Sequence, residues 1–352
     1  MRVFIIGYHW VGGFSDFAAE GFRDNGCETA LVYENELSFF QKARAALMRY
    51  PWLYRIAGIL KKKTSAAYRS YESSRRAGIA PRIVRQAKRF KPDFILMIQC
   101  AGTSAETLRA LRDETGVPIF AWFGDNPFNW VDDSYDDKWQ FFDACFAVDA
   151  TWLTPLRTAT GKPAFHLPLA SSAHAYFPVR TVPRRYVADI AFVGAPTEER
   201  IVHIKALSGC DIKIYGLGWD AYFEKYPQLA KQWQGPVSPK EGNMAQNGAK
   251  IVLGLYGKNL ATSVGQRAFD AGASGSFFLS ERKGQLTDLF PEGALALFDD
   301  PDDLRVKADY WLSHDEGRTA VAARFHSAVM HSNLYRHRAA SVCEAFKSLR
   351  HG

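Results

Sequence analysis

The sequence predicts an α/β protein that consists of two Rossmann-like domains. Short apolar runs alternate with amphipathic helical segments along most of the chain, which is the pattern expected of parallel sheets covered by helices. The alternation stops at a linker rich in Arg and Pro, residues 179–187, and then starts again. With 352 residues, 47% of them apolar, the chain is long enough for two domains that each have a core.

The first domain is predicted over residues 1–180. Its first strand, helix and second strand form a βαβ unit. The turn at residues 7–13 is rich in glycine but lacks the dinucleotide-binding spacing, so by itself it is weak evidence for a ligand. The predicted elements, in chain order, are strand 2–7, helix 15–26, strand 28–33, strand 92–98, helix 104–115, strand 117–123, strand 143–149, helix 151–160 and strand 164–169.

Residues 36–91 are predicted to form two or three helices inserted in the first domain. They hold fifteen Lys and Arg residues against two acids, a local balance of +13 in a chain whose net charge is +7. A segment this basic usually faces a polyanion, an acidic membrane surface or a phosphorylated substrate. A solvated helical face explains the same charge equally well, so the sequence leaves both interpretations open.

The cysteines favour a reducing compartment. There are five of them, an odd number, and no two have the spacing of a metal site. The first seven residues predict a strand rather than a signal peptide, and no apolar run reaches the length of a transmembrane helix. We therefore expect a soluble cytoplasmic protein.

The second domain is predicted over residues 181–330, where strands and helices again alternate. The predicted elements are strand 189–194, helix 198–207, strand 212–215, helix 238–246, strand 251–255, helix 263–272, strand 276–279, two apolar segments at 286–290 and 294–298, and helices from 302 to the end. Glycine-rich turns follow the first two of these strands.

Residues 262–279 are the most informative stretch of this domain. Ser263 and Gln266 have the spacing of a capping box, so a helix is predicted to begin there, and a helix N-terminus suits a phosphate. Arg267 and Asp270 would share one helical face with Ser263. Such a face could hold a nucleotide diphosphate and its ribose, although an ordinary βαβ unit with a solvated Arg and Asp has the same pattern.

This stretch resembles the donor-binding segment of GT-B glycosyltransferases, most closely the CgeB-like family. The residues that carry the resemblance are Ser263, Arg267, Phe269, Asp270, Ala273 and Gly275. A second matching segment follows the strand at 117–123 and consists of Trp122, Phe123, Asp125, Asn126 and Pro127. The resemblance implies two domains facing across a cleft, with residues 331–352 forming a helix that returns to the first domain. Where the family usually has Glu this chain has Asp270, and Thr262 replaces the first acid of the related Glu-x7-Glu motif, so the stereochemical course stays open.

The resemblance also implies roles for individual residues. Arg267 would neutralise the leaving diphosphate with help from Ser263, and Asp270 would bind the ribose hydroxyls. Gly194 and Gly218 would let the backbone approach the nucleotide closely. Gly12, Gly13 and His9 would line the cleft and contact the donor phosphate or the acceptor, although His9 could equally be a structural residue of the loop. Asp125 is either a general base near the acceptor hydroxyl or the residue that forms an Asx-turn.

The predicted function is a metal-independent transfer of a sugar, of hexosyltransferase type, from a UDP-like nucleotide sugar to an acceptor hydroxyl. The acceptor is unidentified; an anionic glycan, protein, nucleic acid or lipid-linked molecule would suit residues 36–91, and that segment would also suit peripheral contact with the inner face of the membrane. Two alternatives remain. One is a sugar-nucleotide epimerase on the same fold, and the other is a non-enzymatic protein that binds anions or nucleic acid through the basic segment.

Overall fold

The computed structural model describes residues 1–9, 13–35, 66–99, 102–129, 135–257 and 261–351, without the side chains of 66–77 and 351. Most of the predicted basic insertion, including Lys61, Lys62 and Lys63, therefore lies outside the described residues. In the described parts of the chain, no helix is long and apolar enough to cross a membrane.

The described residues form strands and helices in close alternation. The strands are β1 (Arg2–Gly7), β2 (Glu28–Tyr33), β3 (Phe94–Ile98), β4 (Ile119–Phe123), β5 (Ala144–Ala147), β6 (Ala164–His166), β7 (Ala188–Val193), β8 (Ile212–Tyr215), β9 (Ala249–Gly254), β10 (Phe278–Glu281) and β11 (Ala296–Phe298). The α-helices are α1 (Phe14–Asp24), α2 (Ala66–Phe90), α3 (Ala105–Thr115), α4 (Leu153–Thr160), α5 (Glu198–Ala206), α6 (Pro227–Gln232), α7 (Pro239–Gly248), α8 (Gln266–Ala273), α9 (Leu286–Leu289), α10 (Pro301–Leu312), α11 (Asp315–Ser332) and α12 (Tyr335–His351).

These elements belong to two compact units. The first unit contains the described residues up to Leu169 together with those from Tyr335 onward, and the second contains Ala170–Leu334. The sequence placed the two boundaries after residues 180 and 330. Each unit has one sheet, so the predicted pair of Rossmann-like α/β domains is confirmed.

The sheet of the first unit has six strands in the order β2-β1-β3-β4-β5-β6, and every pair is parallel. Its central strands are apolar along their whole length because helices cover both faces of a parallel sheet. Ile5 of β1, for example, is fully buried and lies opposite Leu31 of β2 and Leu96 of β3.

Helix α12 completes the core of the first unit. The ring of Phe346 lies 4.9 Å from that of Phe94, and the ring of Tyr335 lies 6.0 Å from that of Phe17. A Cβ atom added to Gly21 in α1 would lie 2.4 Å from the carbonyl group of Tyr335, so the two helices meet where α1 has no side chain. Burial of each such aromatic ring stabilises the fold by about 1.5–3 kcal/mol.

The sheet of the second unit has five parallel strands in the order β11-β10-β9-β7-β8. The carboxyl ends of parallel strands all lie at one edge of a sheet, and ligands of α/β proteins usually bind at that edge. The loops that follow β7, β8, β9 and β10 therefore define the edge that matters for the candidate site.

The helix starts at Ser104 and Ser238 are as the sequence predicts. The hydroxyl of Ser104 accepts a hydrogen bond from the N–H of Thr107, and Ser238 forms a capping box with Glu241. In both places a serine follows a loop and precedes an amphipathic segment, which is the usual setting of an N-cap.

The predicted helix start at Ser263 is wrong. Helix α8 begins three residues later, at Gln266, and its N-cap is Gly265, which makes no side-chain cap. Ser263 and Val264 are only 1% and 2% exposed, so the chain runs through the interior before the helix begins.

Two short helices were not predicted as helices. Helix α6 begins at Pro227, and α9 occupies most of the apolar segment 286–290. Both are too short for a helical repeat of apolar residues to be visible in the sequence.

Candidate functional site

Two glycine turns pack against each other at the carboxyl edge of the second sheet. Val193 of β7 lies opposite Tyr215 of β8, so the turns that follow these strands are neighbours. The indole N–H of Trp219 donates to the carbonyl oxygen of Gly194 at 2.9 Å. A Cβ atom on Gly216, where φ is 144°, would lie 2.1 Å from that same oxygen, so no other residue fits there.

The two glycines predicted to approach a nucleotide are both in these turns. Gly194 follows β7, and Gly218 has a φ of 90° and precedes a short 3-10 helix that starts at Trp219. The structure thus brings the two predicted glycines to one edge of one sheet, and Gly218 has a backbone conformation that only glycine adopts readily.

Arg200 stands at the same edge and was not predicted from the sequence. The hydroxyl of Thr197 caps helix α5, and Arg200 lies in the first turn of that helix. Its Nη1 donates to the carbonyl oxygen of Ala195 at 2.8 Å, and its guanidinium lies over the ring of Phe192. Its Nε is buried without a hydrogen-bond partner among the described residues.

The electrostatic environment of Arg200 is one that an anion would improve. Burial lowers the pKa of its guanidinium, and the carboxylates of Glu281 and Glu199 oppose that effect. A desolvated cation at the start of a helix favours a bound phosphate, since the helix N-terminus adds positive charge.

Glu281 ends β10 and is the acidic partner in this part of the edge. Its carboxylate accepts a hydrogen bond of 3.1 Å from the backbone N–H of Tyr256, which follows β9. The hydroxyl of Tyr256 lies 2.9 Å from that of Ser280, and burial raises the pKa of the phenol. The loop after β9 is therefore attached to the end of β10.

A closed polar cluster surrounds the first turn of α8. Nη1 of Arg267 donates to the hydroxyl oxygen of Tyr176 and to Oδ2 of Asp270, both at 2.9 Å. The hydroxyl of Ser171 donates to the other oxygen of Asp270, also at 2.9 Å. The amide of Gln266 lies 3.5 Å from Oδ2. Arg267 and Asp270 are thus brought together, as the sequence predicts.

The two charged members of this cluster differ greatly in exposure. The side chain of Asp270 is fully buried, whereas that of Arg267 is 36% exposed. Burial raises the pKa of Asp270 to about 6, although Arg267 and Ser171 both oppose the rise. Burial and the nearby carboxylate of Asp270 also raise the pKa of Tyr176.

The geometry differs from the predicted site at two residues. Ser263 does not share a helical face with Arg267, because it precedes α8 and is buried. Asp270 does not present its carboxylate to solvent, because both of its oxygens are bonded inside the second unit.

Asp125 lies in an exposed turn after β4 in the first unit. The backbone N–H groups of Gly124 and Asp125 both donate to the side-chain oxygen of Gln99, at 2.7 and 2.8 Å. Gln99 follows β3 and has a φ of 50°, an uncommon conformation for a residue with a side chain. Asn126 forms the Asx-turn, since its side-chain oxygen accepts the N–H of Phe128 at 3.0 Å.

The glycine turn after β1 is described only in part, because Gly12 lies outside the described residues. Gly13 is the N-cap of α1 and has a φ of 74°. The backbone of His9 forms two hydrogen bonds with the side chain of Asn35, of 2.6 and 3.0 Å. The ring of His9 lies edge-on to Tyr33, so this turn is held against the end of β2.

Solved glycosyltransferase structures have the same fold over nearly the whole chain. A sucrose-phosphate synthase from Thermosynechococcus elongatus has a TM-score of 0.69 at 10% identity, over 99% of this chain and 98% of that one. A glycosyltransferase from Rickettsia africae has a TM-score of 0.64 at 10% identity, over 99% and 98%. HepE from Anabaena, in complex with UDP-glucose, has a TM-score of 0.64 at 10% identity, over 99% and 100%. The fold is that of the GT-B glycosyltransferases.

A family model that matches part of the sequence also points to this class. Residues 198–344 match the family model for glycosyl transferase-like proteins, a match that covers less than half of the chain. No curated protein sequence matches. The family match confirms the class predicted from the sequence, a glycosyltransferase, and neither the epimerase nor the non-enzymatic alternative finds support in these comparisons.

Proposed function

We propose that this protein transfers a sugar from a uridine diphosphate sugar to a hydroxyl group of an acceptor, as a CgeB-like GT-B enzyme. The observation that carries the proposal is the carboxyl edge of the second sheet, where the desolvated Arg200 lies beside two packed glycine turns. Arg200 and Gly218 lie within the segment that matches the glycosyltransferase model. HepE, which shares the fold, is solved with UDP-glucose. The matching segments around Asp125 and Arg267 support the CgeB-like assignment.

The chemical problem of this reaction is the charge that develops on the leaving diphosphate. Fixed cations at that position stabilise the transition state, because they need no reorganisation as the bond breaks. In our proposal Arg200 and Arg267 supply this charge, and Gly194 and Gly218 let backbone approach the nucleotide. We accordingly expect transfer to persist in the presence of a chelator.

The acceptor hydroxyl needs a group that takes its proton. Asp125 meets the structural requirement, since its carboxylate is on an exposed turn whose backbone is fixed by Gln99. Because Asn126 supplies the Asx-turn, the turn does not need Asp125 for that purpose. We propose Asp125 as the general base.

The proposed acceptor is anionic and is bound with the help of the basic segment. In its described part, four cationic side chains near the end of α2 are exposed to solvent: Arg85, Lys88, Arg89 and Lys91. Lys88 is paired with Glu114, so the others carry most of the uncompensated charge. The cysteine content and the charge support our proposal of a cytoplasmic location, with this segment at the inner face of the membrane.

The deciding experiment measures ligand-induced thermal stabilisation with UDP, ADP, GDP, CDP and dTDP sugars, since a ligand that binds the folded state raises the melting temperature. Stabilisation by one nucleotide series, followed by release of its diphosphate only when an acceptor is added, is the expected result. Conversion of the sugar nucleotide without an acceptor would favour the epimerase. No stabilisation by any of them would refute the proposal.

A further inference from the structure

The carboxylate of Asp270 is enclosed by its neighbours and has no contact with solvent. Its two oxygens accept hydrogen bonds from Ser171 on one side and from Arg267 on the other, and none of its surface is exposed. Each carboxylate oxygen has a further lone pair, but a ribose hydroxyl could reach it only if the side chains that enclose Asp270 moved aside.

The guanidinium of Arg267 has the opposite character. Its Nη1 uses both of its N–H groups, one for Tyr176 and one for Asp270. The three N–H groups on Nε and Nη2 have no hydrogen-bond partner among the described residues, and the side chain is 36% exposed. Nε and Nη2 together form the edge with which arginine binds phosphate through two parallel hydrogen bonds.

We propose that Asp270 is a positioning residue that holds the phosphate-binding edge of Arg267 outward, and that it is not a ribose ligand. Ser171 and Tyr176 help to position Arg267. Ser171 holds the carboxylate of Asp270 in place, and Tyr176 accepts a hydrogen bond from the second N–H of Nη1. This inference rests on the proposed function, since it assigns the diphosphate of the donor to Arg267.

The arrangement explains why the guanidinium is bonded at one nitrogen only. An arginine side chain that is free in solution loses rotational freedom when it binds a phosphate. Two bonds to Nη1 restrict that freedom before the ligand arrives, so the ligand does not have to order the side chain. A test of this role must distinguish a change in the binding of the diphosphate group from a change in the binding of the ribose hydroxyls.

The experiment is a double-mutant cycle read with ligands that differ in one chemical group. Asp270→Asn, Arg267→Ala and the double variant are titrated calorimetrically with three probes. These are the nucleoside diphosphate that stabilises the wild type most, its 2′,3′-dideoxy analogue, and inorganic pyrophosphate. Asp189→Asn is the matched control, because Asp189 also forms an ion pair in the second unit, with Lys250 at 2.8 Å.

We expect Asp270→Asn to weaken all three probes by the same factor, about tenfold, as suits a perturbed hydrogen bond to a charged group. It should cause no further loss when Arg267 is already Ala, because its effect acts through the guanidinium. Asp189→Asn should bind all three probes like the wild type. Two results would overturn the inference. One is a loss of affinity by Asp270→Asn for the nucleoside diphosphate only, with the dideoxy analogue and pyrophosphate unaffected. The other is a loss of affinity that adds to the loss caused by Arg267→Ala.

Tyr176→Phe keeps the inference testable if Asp270→Asn does not fold. It removes only the hydroxyl that accepts from Nη1, and it should weaken the diphosphate and its dideoxy analogue equally, while the maximum rate with saturating donor changes less than KM. An unchanged affinity for both would refute the positioning role. If the wild type binds none of the diphosphates, the proposed function itself has failed, and the two failures are thereby distinguished.

Discussion

The buried carboxyl group of Asp270 should make the stability of the protein depend on pH in a direction opposite to that of most paired carboxylates. Its pKa is raised by burial to about 6, from an ordinary value of 3.8. The folded state therefore holds the proton more tightly than the unfolded state. This contribution to stability is complete below pH 3.8 and is lost as the pH rises through about 6.

The size of the effect follows from the two pKa values. A rise from 3.8 to about 6 corresponds to about 3 kcal/mol in the free energy of unfolding, most of which is lost between pH 4 and pH 7. Asp270→Asn cannot ionise, so it lacks this loss. The free energy of unfolding of the variant minus that of the wild type should therefore increase by about 2–3 kcal/mol as the pH rises from 4 to 8.

The assay is urea unfolding of the wild type and of Asp270→Asn at several pH values, with the transition of the second unit followed separately. Asp189→Asn is the control, since a hydrogen bond from Lys250 lowers the pKa of Asp189 and its stabilisation is complete above pH 5. The control difference should be flat from pH 5 to pH 8. A flat difference for Asp270→Asn as well would show that the ion pair with Arg267 cancels the effect of burial, and would refute the reasoning.

Three further predictions concern the turns and the charged groups at the sheet edges. Gly216→Ala should destabilise the second unit by about 3 kcal/mol or more, because its Cβ would meet the oxygen of Gly194; chemical unfolding measures this, and a loss below 1 kcal/mol would contradict it. Arg200→Ala should weaken nucleoside diphosphate binding by about tenfold or more and reduce its salt dependence in calorimetry, whereas unchanged binding would remove Arg200 from the site. Asp125→Asn should lower kcat by a factor of about 10²–10⁴ with donor affinity unchanged, and wild-type rates in this variant would exclude Asp125 as a base. Gln99→Glu adds negative charge near that base and should move the acid limb of the profile of kcat against pH to higher pH.

The fold could be predicted because its signals are local. Fully apolar runs such as residues 94–98 and 119–123 are typical of strands buried on both faces, and the linker at 179–187 separates two such series. Gly194 and Gly218 could be singled out because the turns that contain them resemble turns of the CgeB-like family. The start of α8 could not be found locally, because it depends on Ser263 being drawn into the interior.

The site was predicted only in part because much of it depends on distant contacts. Ser171 and Tyr176 meet α8 from 99 and 91 positions away, and no periodicity connects such positions. Arg200 stands in a charged stretch that is typical of a solvated helix start, so its desolvation is visible only in three dimensions. The positive φ of Gln99 likewise has no signature in the sequence.

The place of α12 in the first unit has a consequence for how the chain folds during synthesis. Residues 170–334 are contiguous, so the second unit can form as soon as they leave the ribosome, whereas the earlier residues must wait for a helix that follows all of them. Until then the surface on which α12 packs, which includes Phe17, Gly21 and Phe94, stays exposed to solvent. Exposed apolar surface of this kind attracts chaperones and promotes aggregation. During synthesis, the second unit should therefore become resistant to proteases before the first unit does.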